Sequence, residues 1–272
     1  MRGFLAALYL AVCAALVAAA AVDGSAHFVL LGDRTGEAQA GIYQRIWREI
    51  AGARPDFVVS VGDTIQGGSD ATAENEWQEV RRILEPYRKI PLYLAPGNHD
   101  IWSAASERLF RQYAERPPHY SFDAGGVHFT ILDNSRSDAW PAAELAFLET
   151  DLREHAAAPL KMVVAHRPSW LPEAGLGSTS GRFHRMMKQY GVCCVVTGHV
   201  HQLIHAAVES VDYVALPSAG GHLRLNREYE AGWFFGWTEV DVKGKEVSMT
   251  VHALDGKVTP LSAWGRAGLL SK

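Results

Sequence analysis

Short apolar runs recur along this chain, and five of them break off in the same way. "FVLLGD" stops at Asp33 and "VVSVGD" at Asp63. "LYLAPGNHD" delivers Asn98, His99 and Asp100, "MVVAH" stops at His166, and "CVVTGHVH" ends with His199 and His201. Short, near-continuously apolar runs are what strands covered on both faces look like. Between them lie residues at helical spacing: Ile42, Tyr43, Ile46, Trp47 and Ile50; Trp77, Val80, Leu84 and Tyr87; Phe183, Met186, Met187 and Tyr190. Over 141–155, Pro141 suits a first helical position and Leu145, Leu148 and Leu152 form one stripe. The alternation predicts an α/β domain with a largely parallel sheet. Runs at 213–217, 233–242 and 246–254 follow without helices between them and read as antiparallel strands, so two stacked sheets are expected. In α/β sheets ligands bind beyond the carboxyl ends of the strands, which is where the polar residues fall.

An isolated Asp after a strand is usually a turn residue or a helix cap. Five such ends in one chain, four of them with a Gly before the polar residue, point instead to a shared site, because Gly lets the backbone turn sharply and approach a bound group. Two carboxylates, an amide oxygen and three imidazoles are borderline-hard donors. They suit Fe, Mn, Zn or Co rather than Ca, and a bridging carboxylate makes a pair of ions about 3.5–4 Å apart feasible.

Composition narrows the remaining classes. The 272 residues suffice for one large domain with its own core. The formal net charge of -4 and the lack of a long basic run argue against nucleic acid as a partner. Arg2 followed by the apolar stretch Phe4–Val22, with small-x-small positions near Ala20 and Ala21, has the layout of an export signal over residues 1–22, extending at most to 26. The alternative is an uncleaved anchor. A lipidated Cys13 is disfavoured, because Val12 precedes it and the apolar run continues past it. With the signal removed no membrane-spanning stretch is left, and a periplasmic or secreted protein is expected. The remaining cysteines, Cys193 and Cys194, are adjacent in a strand and read as small buried hydrophobes.

The order Gly-Asp, Gly-Asp, Gly-Asn-His-Asp, His, Gly-His-x-His over about 28–201 resembles the calcineurin-like metallophosphoesterase superfamily, which includes the purple acid phosphatases. The resemblance implies two stacked mixed β-sheets flanked by helices over 27–260, with 261–272 as a tail. It implies two metal ions and hydrolysis of a small phosphorylated substrate by a metal-bound hydroxide. By position, Asp63 would bridge the ions, Asp33 and His201 would hold the first, and Asn98, His166 and His199 the second. His99 would act as general acid, with Asp100 orienting its imidazole.

Two positions depart from that pattern. Asp-x-His reads Asp33-Arg34-Thr35, and the tyrosine of purple acid phosphatases, three residues after Asp63, is Gln66. Thr35, Gln66 or the more distant His222 are the candidates to fill the gap. Arg34, and less so Arg167, are placed to grip phosphate oxygens. Asp133-Asn134 is a further polar strand end with at most a supporting role. Trp102, Trp170 and Tyr229 read as packing residues rather than stacking platforms. The rival reading is a degenerate member that binds a phosphorylated ligand without turning it over. A serine hydrolase is a third and weaker reading, since the sequence shows no Gly-x-Ser-x-Gly elbow.

Overall fold

Parallel pairing of the first apolar runs organises the molecule. In the computed structural model, which describes residues 25–224 and 228–264, β1 (Ser25–Leu31), β2 (Phe57–Ser60) and β3 (Leu92–Leu94) are parallel neighbours. The returning strands β10 (Gly236–Lys243), β11 (Glu246–Ala253) and β12 (Val258–Pro260) extend that sheet antiparallel from β1, in the order β12-β11-β10-β1-β2-β3. The second sheet has the order β4-β5-β6-β7-β9-β8. Its parallel centre is β5 (Val127–Ile131), β6 (Leu160–Val164), β7 (Cys194–Thr197) and β9 (Val211–Ala215). β4 (Tyr120–Ala124) and β8 (Ile204–Val208) form antiparallel edges. Both sheets are therefore mixed.

The period-2 alternation of these strands divides the core into layers. Phe28, Leu30, Phe57, Val59, Phe129, Ile131, Met162, Val164 and Val196 point inward and fill the space between the sheets. Four rings form its centre: Phe28 stacks on Phe57 at 4.8 Å, Phe122 stacks on Phe129 at 4.8 Å, and Phe129 meets Phe28 edge-on at 5.4 Å. The alternate residues face helices. Val29, Leu31 and Val58 pack on Tyr43, Ile46, Trp47 and Ile50 of α1 (Ile42–Ala53). Leu94 packs with Trp77 and Val80 of α2 (Ala73–Leu84) and Phe110 of α3 (Ala104–Ala114). Val163 and Val195 pack on Leu148 and Leu152 of α4 (Ala142–Glu154) and Met187 of α5 (Arg182–Tyr190). The result is four layers: helix, sheet, sheet, helix.

Several details differ from the sequence reading. Pro141 caps α4 from outside instead of starting it. α3, β8 and β12 were not foreseen. Leu261 is buried in the core between the sheets and Trp264 packs against it, so packing continues into the region assigned to a tail. The expected signal at 1–22 lies outside the described residues. Among those residues, no helix is long and apolar enough to cross a membrane. Cys194 is buried and Cys193 half-buried; burial pushes Cys193 up to about 11, and both remain free thiols.

Candidate metal centre

The parallel strands of both sheets run toward one end of the sandwich, and their terminal residues meet there. Asp33 follows β1, Asp63 follows β2, and Asn98 to Asp100 follow β3. His166 follows β6, and His199 and His201 follow β7. Asp63, His166 and His199 each bring a ligand atom within 4.8 Å of the others, and so do Asp33, Asp63 and His201. Asp63 is common to both groups. The two sheets each contribute half of the donors.

The backbone is bent to achieve this. Asp63, His199 and His201 have φ of 53°, 70° and 55°, in the left-handed region that non-glycine residues seldom occupy. Close approach demands glycine beside them. A Cβ on Gly97 would lie 2.1 Å from Asp63 Oδ1, and one on Gly198 would lie 2.1 Å from Asp33 Oδ1.

Hydrogen bonds set the imidazole tautomers. His166 Nδ1 lies 2.9 Å from the Val61 carbonyl and His201 Nδ1 lies 2.7 Å from the His222 carbonyl. A carbonyl only accepts, so in each ring Nδ1 carries the hydrogen and Nε2 faces the cluster. His166 Nε2 then meets Asn98 Oδ1 at 3.0 Å, Asp63 Oδ2 at 3.2 Å and His199 Nδ1 at 3.2 Å. His201 Nε2 meets Asp33 Oδ2 at 3.2 Å. Asp33 Oδ1 is buried without any donor.

The electrostatics follow from this crowding. Burial opposes charge on His166, but the adjacent Asp63 carboxylate wins and raises it to about 9. Burial alone would raise Asp63; the His166 charge and hydrogen bonds reverse this and hold it below the usual carboxylate range. His199 is pushed down to about 4 by burial, by His166 and by Arg167. Burial also opposes charge on His201, and Asp33 raises it nonetheless. Without a cation, a proton on His166 holds the acceptors together. A metal ion fits the same place: the donors are borderline-hard, an orphaned carboxylate oxygen is on hand, and the ion would displace that proton.

Other residues take positions the sequence did not reveal. Asp100 is fully buried and does not orient His99. Its Oδ1 accepts from the amides of Thr64 and Ile65, and its Oδ2 from Gly97, so it ties the two turns that carry Asp63 and Asn98. Burial and the charge of Asp63 raise its pKa. His99 Nδ1 instead meets the Gln66 carbonyl, at 2.5 Å. Arg34 is turned away from the cluster: it bonds the Thr64 carbonyl at 3.1 Å and Glu79 at 2.8 Å, and stacks over Tyr43. Both corrections have one cause, since consecutive residues in a turn point in different directions.

At the first-motif position where the family carries an imidazole stands Thr35, paired with Gln66. The Thr35 hydroxyl donates to Gln66 Oε1 at 2.5 Å, and that oxygen also accepts the Glu37 amide. The His222 ring lies toward Glu37, at 3.6 Å, and only its carbonyl serves the site. Asn134 does more than support. Its Oδ1 accepts the amides of His166 and Arg167, and its Nδ2 donates to the Arg167 carbonyl and Ser169 Oγ. One fully buried amide, with all four of its hydrogen bonds made, holds the turn after β6. A polar pair ending β5 was the only sequence signal. Trp170 is buried, donating to Thr197, and Tyr229 packs on Phe234 and Trp264.

Known proteins resemble this chain. A family model described as calcineurin-like phosphoesterase matches residues 26–203. The chain is similar to purple acid phosphatase 23 of Arabidopsis thaliana, 30% identical over 149 residues covering 48% of this chain and 32% of that protein. It is 25% identical to a 3',5'-cyclic-nucleotide phosphodiesterase of Nostoc sp. over 172 residues, 60% of this chain and 62% of that one. It is 22% identical to the serine/threonine-protein phosphatase CPPED1 of Rattus norvegicus over 195 residues, 62% and 61% of the two chains. It thus spans less than two thirds of each of these relatives. Among solved structures, the yellow lupin purple acid phosphatase PPD1 superposes with a TM-score of 0.65 at 16% identity, covering 87% of this chain and 53% of that one. GAP50, described as the anchor in the inner membrane complex of Plasmodium, superposes at 0.62 and 15% identity, covering 87% and 88%. These likenesses establish the fold.

Proposed function

The chain belongs to the calcineurin-like phosphoesterase family, and from that premise we propose that it is a metal-dependent phosphoric ester hydrolase with a dinuclear centre. The observation that carries this reading is the convergence of Asp63, Asn98, His166 and His199 on one point, with Asp33 and His201 beside it. Asp63, Asn98, His166 and His199 would hold one ion, and Asp33, Asp63 and His201 the other. Fe, Mn, Zn or Co suit these donors. When bound, the ions lower the pKa of a water toward about 7 and neutralise charge on phosphoryl oxygens. The rest is the work of the chain's own groups. His99, with Nδ1–H held by the Gln66 carbonyl, presents Nε2; in its protonated form it gives a proton to the leaving oxygen. Asn98, whose oxygen faces the cluster, leaves its Nδ2 hydrogens for an anionic oxygen. Asp100 and Asn134 hold the ligand-bearing turns in register.

The substrate is a small phosphorylated molecule, mono- or diester. We further assign residues 1–22 to an export signal and 27–260 to the hydrolase domain, whose packing runs on through Leu261 and Trp264; the signal makes the protein periplasmic or secreted.

The test is metal analysis of the mature protein beside a panel of mono- and diester substrates. About two ions per chain and turnover of at least one ester class are expected. His99→Ala should lower turnover by roughly 10²–10⁴ with the ions retained. Full activity after that change would remove His99 from the proton-transfer role. One observation favours a second reading, a phosphate-binding member without turnover: Thr35, bonded to Gln66, stands at the sequence position of a ligand imidazole. A protein that binds phosphate yet hydrolyses no ester would establish it.

A further inference from the structure

We propose that Arg167 is the group that grips the oxygens of the bound phosphoryl group, and that Asp138 holds it ready until the ligand takes the carboxylate's place. This rests on the phosphoesterase reading and adds a residue to it.

The guanidinium of Arg167 lies beside the cluster, with Nη1 3.2 Å from His199 Nε2, the ring nitrogen not turned to His166. The same Nη1 donates to Asp138 Oδ1 at 2.5 Å, and Nε donates to the Ser135 carbonyl at 3.2 Å. Three contacts therefore aim the group, and the Asn134 clamp fixes the backbone it grows from. The side chain of Asp138 is 88% exposed. Ion pairs with so exposed a partner are weak, so a phosphate dianion exchanges with this carboxylate at little cost. Arginine presents a planar fork matched to phosphate oxygens, and such charge-assisted bonds are about twice as strong as neutral ones.

Arg34 is placed differently: its side chain is 11% exposed, bonds Thr64 and Glu79, and lies over the Tyr43 ring.

The experiment measures binding of inorganic phosphate to the Mn²⁺-loaded full chain by calorimetry, with metal content determined in parallel. Arg167→Gln should raise the phosphate Kd about tenfold to a hundredfold at unchanged metal content. Arg167→Lys, which keeps the charge but not the fork, should fall between parent and Arg167→Gln. Asp138→Asn should tighten phosphate binding, because no carboxylate competes for the guanidinium. Unchanged phosphate affinity in Arg167→Gln overturns the proposal. Loss of metal in that variant also overturns it, since Arg167 would then act by holding His199. Weaker binding in Asp138→Asn refutes the displacement step. Phosphate binding needs no turnover, so an inactive parent that binds phosphate through Arg167 defeats the hydrolase reading alone.

Discussion

Asp63 combines a side chain that both donor groups share with a left-handed backbone that only its neighbours' lack of bulk permits. Removing its carboxylate should therefore empty both ion sites: Asp63→Ala is expected to carry no metal by inductively coupled plasma analysis, whereas loss of a single ion would place the bridge elsewhere. Gly198 gives a more selective probe. A methyl group there would sit 2.1 Å from Asp33 Oδ1 and must push that carboxylate aside. Gly198→Ala is expected to lose the ion proposed for Asp33 and His201 first, seen as a metal content falling from about two toward one. Equal loss of both would mean that the turn as a whole had collapsed. Asp100 and His99 illustrate what a residue pattern conceals. Adjacent in sequence, they serve different turns, Asp100 three backbone amides and His99 the Gln66 carbonyl.

The edge hairpin β4–β5 meets α4 through a polar seam instead of an apolar one. His128 bonds Asp123 at 2.8 Å and Asp151 at 2.9 Å, Ser121 and Thr130 also donate to Asp151, and His155 stacks on His128 at 3.9 Å. Burial opposes charge on His128, but the two carboxylates prevail and raise its pKa; Asp151 is lowered, against its own burial, by the same contacts. For a raised histidine, the stabilisation is complete below the unfolded value of about 6.5 and is lost as pH rises through the folded one. For the lowered aspartate it is present above about 3.8 and lost as pH falls. The melting temperature should therefore drop as pH is raised above about 6.5, and His128→Gln should flatten that slope. An unaltered slope would show that the seam is not the titrating element. Elements were legible where periodicity was strong. β1, β2, β6, β7 and the helices α1, α2 and α5 stand out because each carries a continuous run or a clear stripe. β12 is three residues long, β8 carries two alanines, and α3 buries mainly Phe110, so pattern alone had little to register. All six proposed ligands lie just past strand ends, a place that a run of apolar residues marks in the sequence. Asn134 and Arg167 depend on which way a turn points, and their place required coordinates.

At the scale of the whole molecule, Asp33, Asp63 and Asn98 come from one sheet and His166, His199 and His201 from the other. A ligand bound only by the folded state stabilises it by mass action. Metal loading should thus raise the melting temperature of the entire domain in one transition, EDTA should reverse the gain, and Asp63→Ala should abolish it. Two separate transitions would mean that the sheets melt independently and are not tied by the ions. Farther inside, the rings of Phe28, Phe57, Phe122 and Phe129 act as a spacer that sets how far apart the two plates stand. On the proposed dinuclear reading, the calibre of the ion cage at the rim would then be governed from a place no substrate can touch. Thinning the spacer with Phe129→Leu should shift the relative uptake of Zn²⁺ and Mn²⁺ while every coordinating side chain stays as it was.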